Sequence, residues 1–173
     1  ISPYGSSKLT IETFCESYSN VFNIDTTVLR FSNVYGSYSE HKNSVVHKYI
    51  RNILTGKQII INGDGEHTRD YIYVEDIISA IIKCLKKING SNSYHVGTGK
   101  ETSLTKLIKV LKKIFIRYDI EDIKTKNVKR RIGDVRKNFT SFKKIKKDLK
   151  WKPSKSLENG LEATIKWYIS RIK

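Results

Sequence analysis

The spacing of apolar and polar residues along the chain predicts alternating helices and strands. An amphipathic helix is expected from Gly5 to about Phe22, because apolar residues recur there at near-helical intervals. The β-branched run 26–31 predicts a short buried strand, and a loop is expected over 32–36. The apolar residues of the first helix are Leu9, Ile11, Phe14, Tyr18 and Val21.

Beyond residue 36 the alternation continues. Ser103 is a candidate N-cap for a helix that begins at residue 104, and Gly56 ends a helix near residue 54. Strands that alternate with helices favour an α/β domain with a largely parallel sheet. The predicted helices are at about 45–54, 75–87, 104–114, 142–149 and 157–169. The predicted strands are at 58–61, 70–74 and 93–96.

The chain is strongly basic, with a formal net charge of +16 that would attract phosphates. Lysines outnumber arginines about three to one and are spread along the chain together with many Ile and Asn residues, which indicates a compositional bias. The densest lysine cluster falls on the helix predicted at 142–149, where Ile145 and Leu149 are expected to face inward. We interpret it as a solvated face, and a polyanion-binding surface stays open as the alternative. The cluster consists of Lys143, Lys144, Lys146, Lys147 and Lys150.

The length of 173 residues is that of one domain. The chain contains no methionine, so we expect it to be part of a longer protein. Its two cysteines, Cys15 and Cys84, lie far apart on predicted helices, which indicates reduced thiols and predicts a cytoplasmic protein. No apolar run approaches the roughly 20 residues of a membrane span, so no membrane contact is expected.

Tyr4 and Lys8 are candidates for a catalytic pair. Residues four apart share one face of a helix, so the Lys8 ammonium can lie beside the Tyr4 phenol. The positive charge would favour the phenolate, which is the form that acts as a general base. Because this spacing is also common on solvated helices, the pair needs support from elsewhere in the chain.

The rest of the chain offers few other chemical sites. The four histidines are scattered without the spacing of metal ligands, so no metal site is predicted. The segment 62–65 joins two predicted strands and opens no helix, so we interpret it as a tight turn and not as a phosphate-binding loop. Arg69 and Arg131 are candidate anion ligands, because the planar guanidinium suits diphosphate oxygens.

Four segments, in order along the chain, resemble the extended short-chain dehydrogenase/reductase family, in its group of nucleotide-sugar epimerases and dehydratases. Residues 3–8 are similar to the family's catalytic Tyr and Lys motif, and residues 29–36 to the loop after the next strand. Residues 63–76 resemble the family's substrate-domain motif. A fourth segment resembles the family's C-terminal signature: Gly133-Asp134-Val135-Arg136, followed by Leu149, Trp151 and Pro153.

The resemblance implies an α/β fold: the C-terminal portion of a Rossmann-like fold with a small mixed substrate-binding domain. Residues 1–36 would belong to the Rossmann core, and residues 37–173 mainly to the nucleotide-sugar region, with residues 74–97 returning to the Rossmann sheet. The family's glycine-rich dinucleotide loop, its ribose-binding acid and the hydroxyl residue of the catalytic triad have no counterpart in this sequence. We therefore expect that the N-terminal half is absent and that the chain alone is not a competent enzyme.

The resemblance also implies roles for individual residues. Tyr4 would exchange a proton with the sugar 4-hydroxyl, and Lys8 would bind the nicotinamide ribose of NAD and favour the Tyr4 phenolate. Both would thus contact the cofactor, and Phe31 and Val34 would lie by the nicotinamide. The substrate would be bound by Asn33, Arg69 and Arg131 at the diphosphate, by Asp134 at the nucleoside end, and by Val45 and Val46 along the nucleotide pocket.

The activity implied is 4-epimerisation of a UDP-hexose with NAD, such as UDP-glucose, UDP-galactose or an N-acetylhexosamine, through a 4-keto intermediate. A nucleotide-sugar 4,6-dehydratase or decarboxylase of the same family is the alternative. A non-catalytic basic protein that binds polyanions is a second alternative, and nucleic acid is otherwise not an expected partner. Family members often form homodimers through a four-helix contact, which here would include the helix that carries Tyr4.

Overall fold

The structure is a computed structural model that describes residues 2–87, 89–130 and 135–172, with the main chain alone at residue 172. Helices and strands alternate through most of the described chain, as predicted. The helices are α1 (Pro3–Phe22), α2 (Val45–Leu54), α3 (Val74–Leu85), α4 (Leu104–Ile116), α5 (Lys143–Leu149) and α6 (Leu157–Ile172). The strands are β1 (Thr26–Phe31), β2 (Asn33–Tyr35), β3 (Ile59–Asn62), β4 (Thr68–Arg69), β5 (Tyr71–Tyr73), β6 (Ser91–Val96), β7 (Thr102–Ser103) and β8 (Thr125–Val128).

The strands form four two-stranded sheets in the described residues, and three of the pairs are parallel. Strand β1 pairs with β6, β2 with β5 and β3 with β8, whereas β4 and β7 are antiparallel. The chain changes partner between β1 and β2. The Ser32 amide donates to the Val96 carbonyl at 3.0 Å, and the next amide, that of Asn33, donates to the Asp70 carbonyl at 2.9 Å. This switch places Asn33 where two sheets meet.

Several predicted elements are confirmed at their bounds, and others are wrong. The strand Thr26–Phe31 and the helix Val45–Leu54 are observed as predicted. The Ser103 hydroxyl accepts from the Lys106 amide at 3.2 Å, which confirms the N-cap of α4. The loop predicted over 32–36 is wrong, because it contains β2. The strand predicted over 70–74 is too long, because Val74 begins α3.

Two clusters of buried side chains form the core. The larger cluster lies among α2, α4, α6, β3 and β5, and the smaller one lies among α3, α5, β5 and β6. Ile145 and Leu149 are buried in the smaller cluster, as predicted for the inner face of α5. Residues at the centre of the larger cluster include Ile50, Ile59, Leu107, Leu161 and Ile165.

Helix α1 turns its apolar residues outward. Arg30 on β1 donates to both carboxylate oxygens of Glu12, at 2.8 Å from Nε, and the Thr26 hydroxyl donates to the Cys15 carbonyl at 3.3 Å. Among the described residues of α1, only Ser19 is buried. The predicted helix is therefore observed, but its apolar stripe does not pack on the described chain. All five stripe residues are more than half exposed: Leu9, Ile11, Phe14, Tyr18 and Val21.

Both cysteines are free thiols, Cys84 buried and Cys15 partly so. Within the described ranges no cluster of three or more His, Cys, Asp or Glu side chains could hold a metal ion. Among the helices described, none combines the length and the apolar character needed to cross a membrane.

His47 on α2 is a fully buried histidine that links α2 to α6. Its Nδ1 lies 3.0 Å from the Tyr168 hydroxyl, whereas its Nε2 has no hydrogen-bond partner among the described residues. Burial, followed by the nearby positive charges of Arg51 and Lys42, lowers the pKa of His47 to about 4. The imidazole is therefore neutral in the folded protein near neutral pH.

We expect acid to destabilise the fold through His47. An unfolded histidine has a pKa near 6.5, so it takes up a proton before the folded one does. The free energy of unfolding should therefore be greatest above about pH 6.5 and should fall by up to about 3 kcal/mol as the pH drops through about 4. Urea unfolding measured across this pH range checks the slope.

His47→Gln should flatten this part of the pH profile, because the titrating group is removed. The matched control is His41→Gln, which removes an exposed histidine and should keep the wild-type slope. An unchanged slope in His47→Gln would contradict the assignment.

Candidate active site

The first turns of α1 hold Tyr4 and Lys8 together. The Ser2 hydroxyl accepts from the Gly5 amide at 3.1 Å and caps the helix, and Pro3 occupies its first turn. The Lys8 ammonium lies 5.4 Å from the centroid of the Tyr4 ring, on the helical face that the four-residue spacing predicted. The Tyr4 side chain is 73% exposed, so its phenol is accessible to a ligand.

A cavity of about 260 Å³ brings together three residues that the sequence assigned to the substrate. We call it the Arg69 cavity. Asn33 begins β2, Val45 begins α2 and Arg69 ends β4, so three separate segments of the chain converge there. The described residues that line it are Asn33, Asn43, Ser44, Val45, Lys48, Tyr49, Ile60, Asn62, His67, Arg69, Tyr71 and Leu104.

The Arg69 cavity is suited to an anion. Lys48 and Arg69 line it, and none of the described lining residues is a carboxylate. The N-terminus of α2 also opens there, and its N-cap residue Ser44 makes no side-chain capping bond, so first-turn amides stay available to a ligand. The sequence analysis did not identify Lys48 as a site residue, although it lies three residues after Val45 and hence on the same helical face.

Main-chain carbonyls hold Arg69 in place. Its Nη1 donates to the Thr68 carbonyl at 2.8 Å and to the Val135 carbonyl at 2.7 Å. The Thr68 amide in turn donates to the Arg136 carbonyl at 2.9 Å. These bonds tie the substrate-domain motif to the C-terminal signature. Asp134 belongs to that signature and Arg131 precedes it. Both are predicted substrate residues, and both lie outside the described residues.

A second cavity, of about 410 Å³, lies on the other side of Asn33. We call it the Phe31 cavity. Phe31, which is 46% exposed, lines it, and Asn33 lines both cavities. The described residues around it are Arg30, Phe31, Ser32, Asn33, His95, Asn138, Phe139 and Thr140. Asn33 therefore lies between the predicted cofactor side and the predicted substrate side.

Two predicted site residues point into the core instead. Val46 is 1% exposed and packs in the larger cluster, because successive residues of a helix face about 100° apart and Val45 takes the cavity side. Val34 packs against the smaller cluster and lines neither cavity. The pocket role expected for Val46 is thus corrected by its burial in the core. The place of Val34 by the nicotinamide stays a prediction.

Asp70, next to Arg69 in the sequence, is a buried carboxylate. It accepts hydrogen bonds from the Thr98 and Gly99 amides, both at 3.0 Å, from the Thr98 hydroxyl, and from the Thr140 amide at 3.4 Å. A side chain on Gly97 would collide with this network, since an added Cβ would lie 2.7 Å from an Asp70 oxygen. The sequence singled out neither residue, because these contacts join distant segments.

Comparison with known proteins now defines the family. The sequence model described as "NAD dependent epimerase/dehydratase family" matches residues 1–97, more than half of the chain. A putative UDP-glucose 4-epimerase of Methanocaldococcus jannaschii is 35% identical over 169 residues, which is 96% of this chain and 53% of that protein. The chain belongs to the NAD dependent epimerase/dehydratase family.

Solved structures agree with this assignment. UDP-glucose 4-epimerase of Thermotoga maritima with UDP-glucose has a TM-score of 0.92 at 34% identity, over 100% of this chain and 55% of that chain. A dTDP-glucose 4,6-dehydratase of Bacillus anthracis in complex with NAD has a TM-score of 0.85 at 27% identity, over 98% and 53%. The chain thus has the mixed α/β, Rossmann-like fold of these proteins and spans about half the length of its relatives. Both 4-epimerases and 4,6-dehydratases are among them.

Proposed function

We propose that this chain supplies the substrate-binding region and the Tyr and Lys pair of an NAD-dependent nucleotide-sugar 4-epimerase that acts on a UDP-hexose. The substrates would be UDP-glucose and UDP-galactose, or the corresponding N-acetylhexosamines. The observation that carries the proposal is the Arg69 cavity, which is cationic and joined to the Phe31 cavity through Asn33. A nucleotide sugar and the nicotinamide that acts on it would need two such adjoining spaces.

The diphosphate would bind at Arg69 and Lys48, with the first-turn amides of α2 as further donors. Asn33 would contact the diphosphate from the side of the sugar, and Val45 would pack on the nucleotide. Arg131 and Asp134 keep their proposed roles at the diphosphate and the nucleoside. Val46 is left out, because it is buried in the core.

Tyr4 would act as the general base on the sugar 4-hydroxyl. The Lys8 ammonium lies beside this residue, 5.4 Å from the centroid of the Tyr4 ring. The residues present fit the nicotinamide end of NAD, because the exposed ring of Phe31 offers an apolar surface and Lys8 a donor for the ribose. The chemistry that bound NAD would supply is reversible hydride transfer at sugar C4. After the 4-keto sugar has rotated, Tyr4 would return its proton to the oxygen, which gives the epimer.

The division of the chain is part of the same proposal. Residues 1–36 would belong to the Rossmann core and residues 37–173 mainly to the substrate region, with residues 74–97 returning to the core. The parallel pairing of β1 with β6, and a core cluster separate from the larger one, support this division.

We also propose that α1 contributes to a homodimer contact. Its exposed apolar stripe supports a helix-to-helix interface.

Within the same family, a 4,6-dehydratase or a decarboxylase would use the same pair and the same cavities, so these activities remain the alternative. A groove of about 450 Å³ favours a second candidate function, polyanion binding. No carboxylate is among its described lining residues, and Trp151 forms its buried floor. The groove is lined by Lys143, Lys146, Lys147, Lys150, Trp151 and Lys152.

Arg69→Ala should weaken UDP binding by about 1.5 to 3 kcal/mol, or about ten- to 150-fold, because charge-assisted hydrogen bonds to the diphosphate are lost. Titration calorimetry with UDP measures this. The matched control is Arg117→Ala, which removes a surface arginine paired with Glu158 and Glu162 and outside the cavity. Equal UDP affinity in wild type and Arg69→Ala would contradict the proposed diphosphate site.

Tyr4→Phe should lower kcat about 10²- to 10⁴-fold with unchanged UDP affinity, because the ring stays and only the proton transfer is lost. The assay follows conversion of UDP-galactose to UDP-glucose by this chain joined to the dinucleotide-binding half of a relative. Tyr18→Phe, on the same helix, is the matched control. A Tyr4→Phe variant with full activity would refute the role of Tyr4.

The polyanion function makes a different prediction. Replacing three groove lysines by Gln should weaken single-stranded RNA binding and reduce the slope of log affinity against log salt by about 2. Replacing three other exposed lysines should have a smaller effect. The groove variant changes Lys146, Lys147 and Lys150, and the charge-matched control changes Lys57, Lys109 and Lys126. Equal losses in both variants would show that RNA responds to net charge alone.

A further inference from the structure

Arg51, near the C-terminal end of α2, holds the loop that leads into the Arg69 cavity. Its Nη1 donates to the Glu40 carbonyl and, at 2.8 Å, to the Lys42 carbonyl. Its Nη2 donates to the Asn43 side-chain oxygen at 3.1 Å. One planar guanidinium thus satisfies acceptors on three loop residues, which a single ammonium could not do in this fork geometry.

The outer part of the same loop is fixed by α6. The Tyr38 ring lies 5.3 Å from the Trp167 ring, and the Arg171 guanidinium lies over both, 5.8 Å and 5.2 Å from their centroids. Tyr38 has a φ of 60°, a left-handed conformation that an aromatic residue adopts at some cost. The loop conformation therefore depends on contacts outside the loop, of which the Arg51 bonds are the ones nearest the cavity.

The inner end of the loop is part of the cavity wall. Asn43, Ser44 and Val45 line the Arg69 cavity, and Arg51 itself does not. The Asn43 side chain is both a ligand of Arg51 and a lining group, so the two features are joined through one residue. Asn43 directly precedes the N-cap residue Ser44, so a shift of Asn43 would also move the first turn of α2.

We propose that Arg51 is a positioning residue that sets the affinity of the Arg69 cavity for the nucleotide diphosphate by fixing residues 40–43. This inference rests on the proposed function of the cavity. Arg51 acts through Asn43 and the N-terminus of α2, not by contact with the ligand. A purely structural role is the competing explanation, since a basic residue in the last turn of α2 also favours the helix dipole.

The experiment compares wild type with Arg51→Ala, Arg51→Lys and Arg69→Ala. UDP affinity is measured by calorimetry, hydrogen exchange in peptides that cover residues 37–44 by mass spectrometry, and stability by thermal unfolding. We expect Arg51→Ala to weaken UDP binding about ten-fold and to speed exchange in the loop. Arg69→Ala should weaken binding without faster loop exchange, because it removes a contact and not a support.

Arg51→Lys separates positioning from the helix dipole. It keeps the positive charge but not the fork, so partial loss of UDP affinity with faster loop exchange is expected. It also keeps the test decisive if Arg51→Ala does not fold. The inference would be overturned if Arg51→Lys had the UDP affinity and the loop hydrogen exchange of the wild type. It would also be overturned if hydrogen exchange in the loop were no faster in Arg51→Ala than in the wild type.

The two levels of the proposal fail in different ways. If wild type binds UDP and the Arg51 variants bind it equally well, the positioning role is wrong and the proposed function stands. If wild type shows no UDP binding, the diphosphate site itself is wrong, and the positioning role falls with it.

Discussion

The buried carboxylate of Asp70 is the interaction on which the arrangement of both cavities depends. Removing a carboxylate from water costs several kcal/mol unless its oxygens find donors. Here main-chain amides at Thr98, Gly99 and Thr140 supply them. Since those donors come from the turn after β6 and from the segment before α5, one ion fixes both segments against the start of β5.

The same junction sets the position of Asn33. The Asp70 carbonyl accepts from the Asn33 amide, so the residue that anchors the turn after β6 with its side chain anchors β2 with its main chain. Gly97 allows the close approach, because an added Cβ would lie 2.2 Å from the Ser32 hydroxyl. Asn33 thus lines both cavities at the point where the chain passes from the β1–β6 pair to the β2–β5 pair. Hydride and proton transfer at a nucleotide sugar would require this kind of fixed link between the two spaces.

Local patterns predicted the elements that carry most of the site, and contacts between distant segments account for what was missed. The bounds of β1 and α2 follow from runs of β-branched and periodic apolar residues. Strand β8 is short and mostly exposed, so only its pairing with β3 defines it. Lys48 could not be separated from the other lysines of a lysine-rich chain. Asp70 could not be distinguished from a surface aspartate, because its donors lie at least 28 positions away.

The charge distribution explains how a cationic cavity forms in a chain that also has acidic residues. The acidic residues near the core already accept hydrogen bonds within the protein. Asp70 accepts them from main-chain amides, and Asp76 accepts them from the Ser154 amide and hydroxyl, at 2.9 Å and 2.7 Å. At the surface, Glu158 is paired with Lys113 and Arg117, which lower its pKa. Lys48 and Arg69 line the Arg69 cavity, and none of the described residues that line it is acidic. Selectivity for a diphosphate would then follow from where carboxylates are placed, and not from the net charge of the chain, because charge spread over the surface is screened by salt.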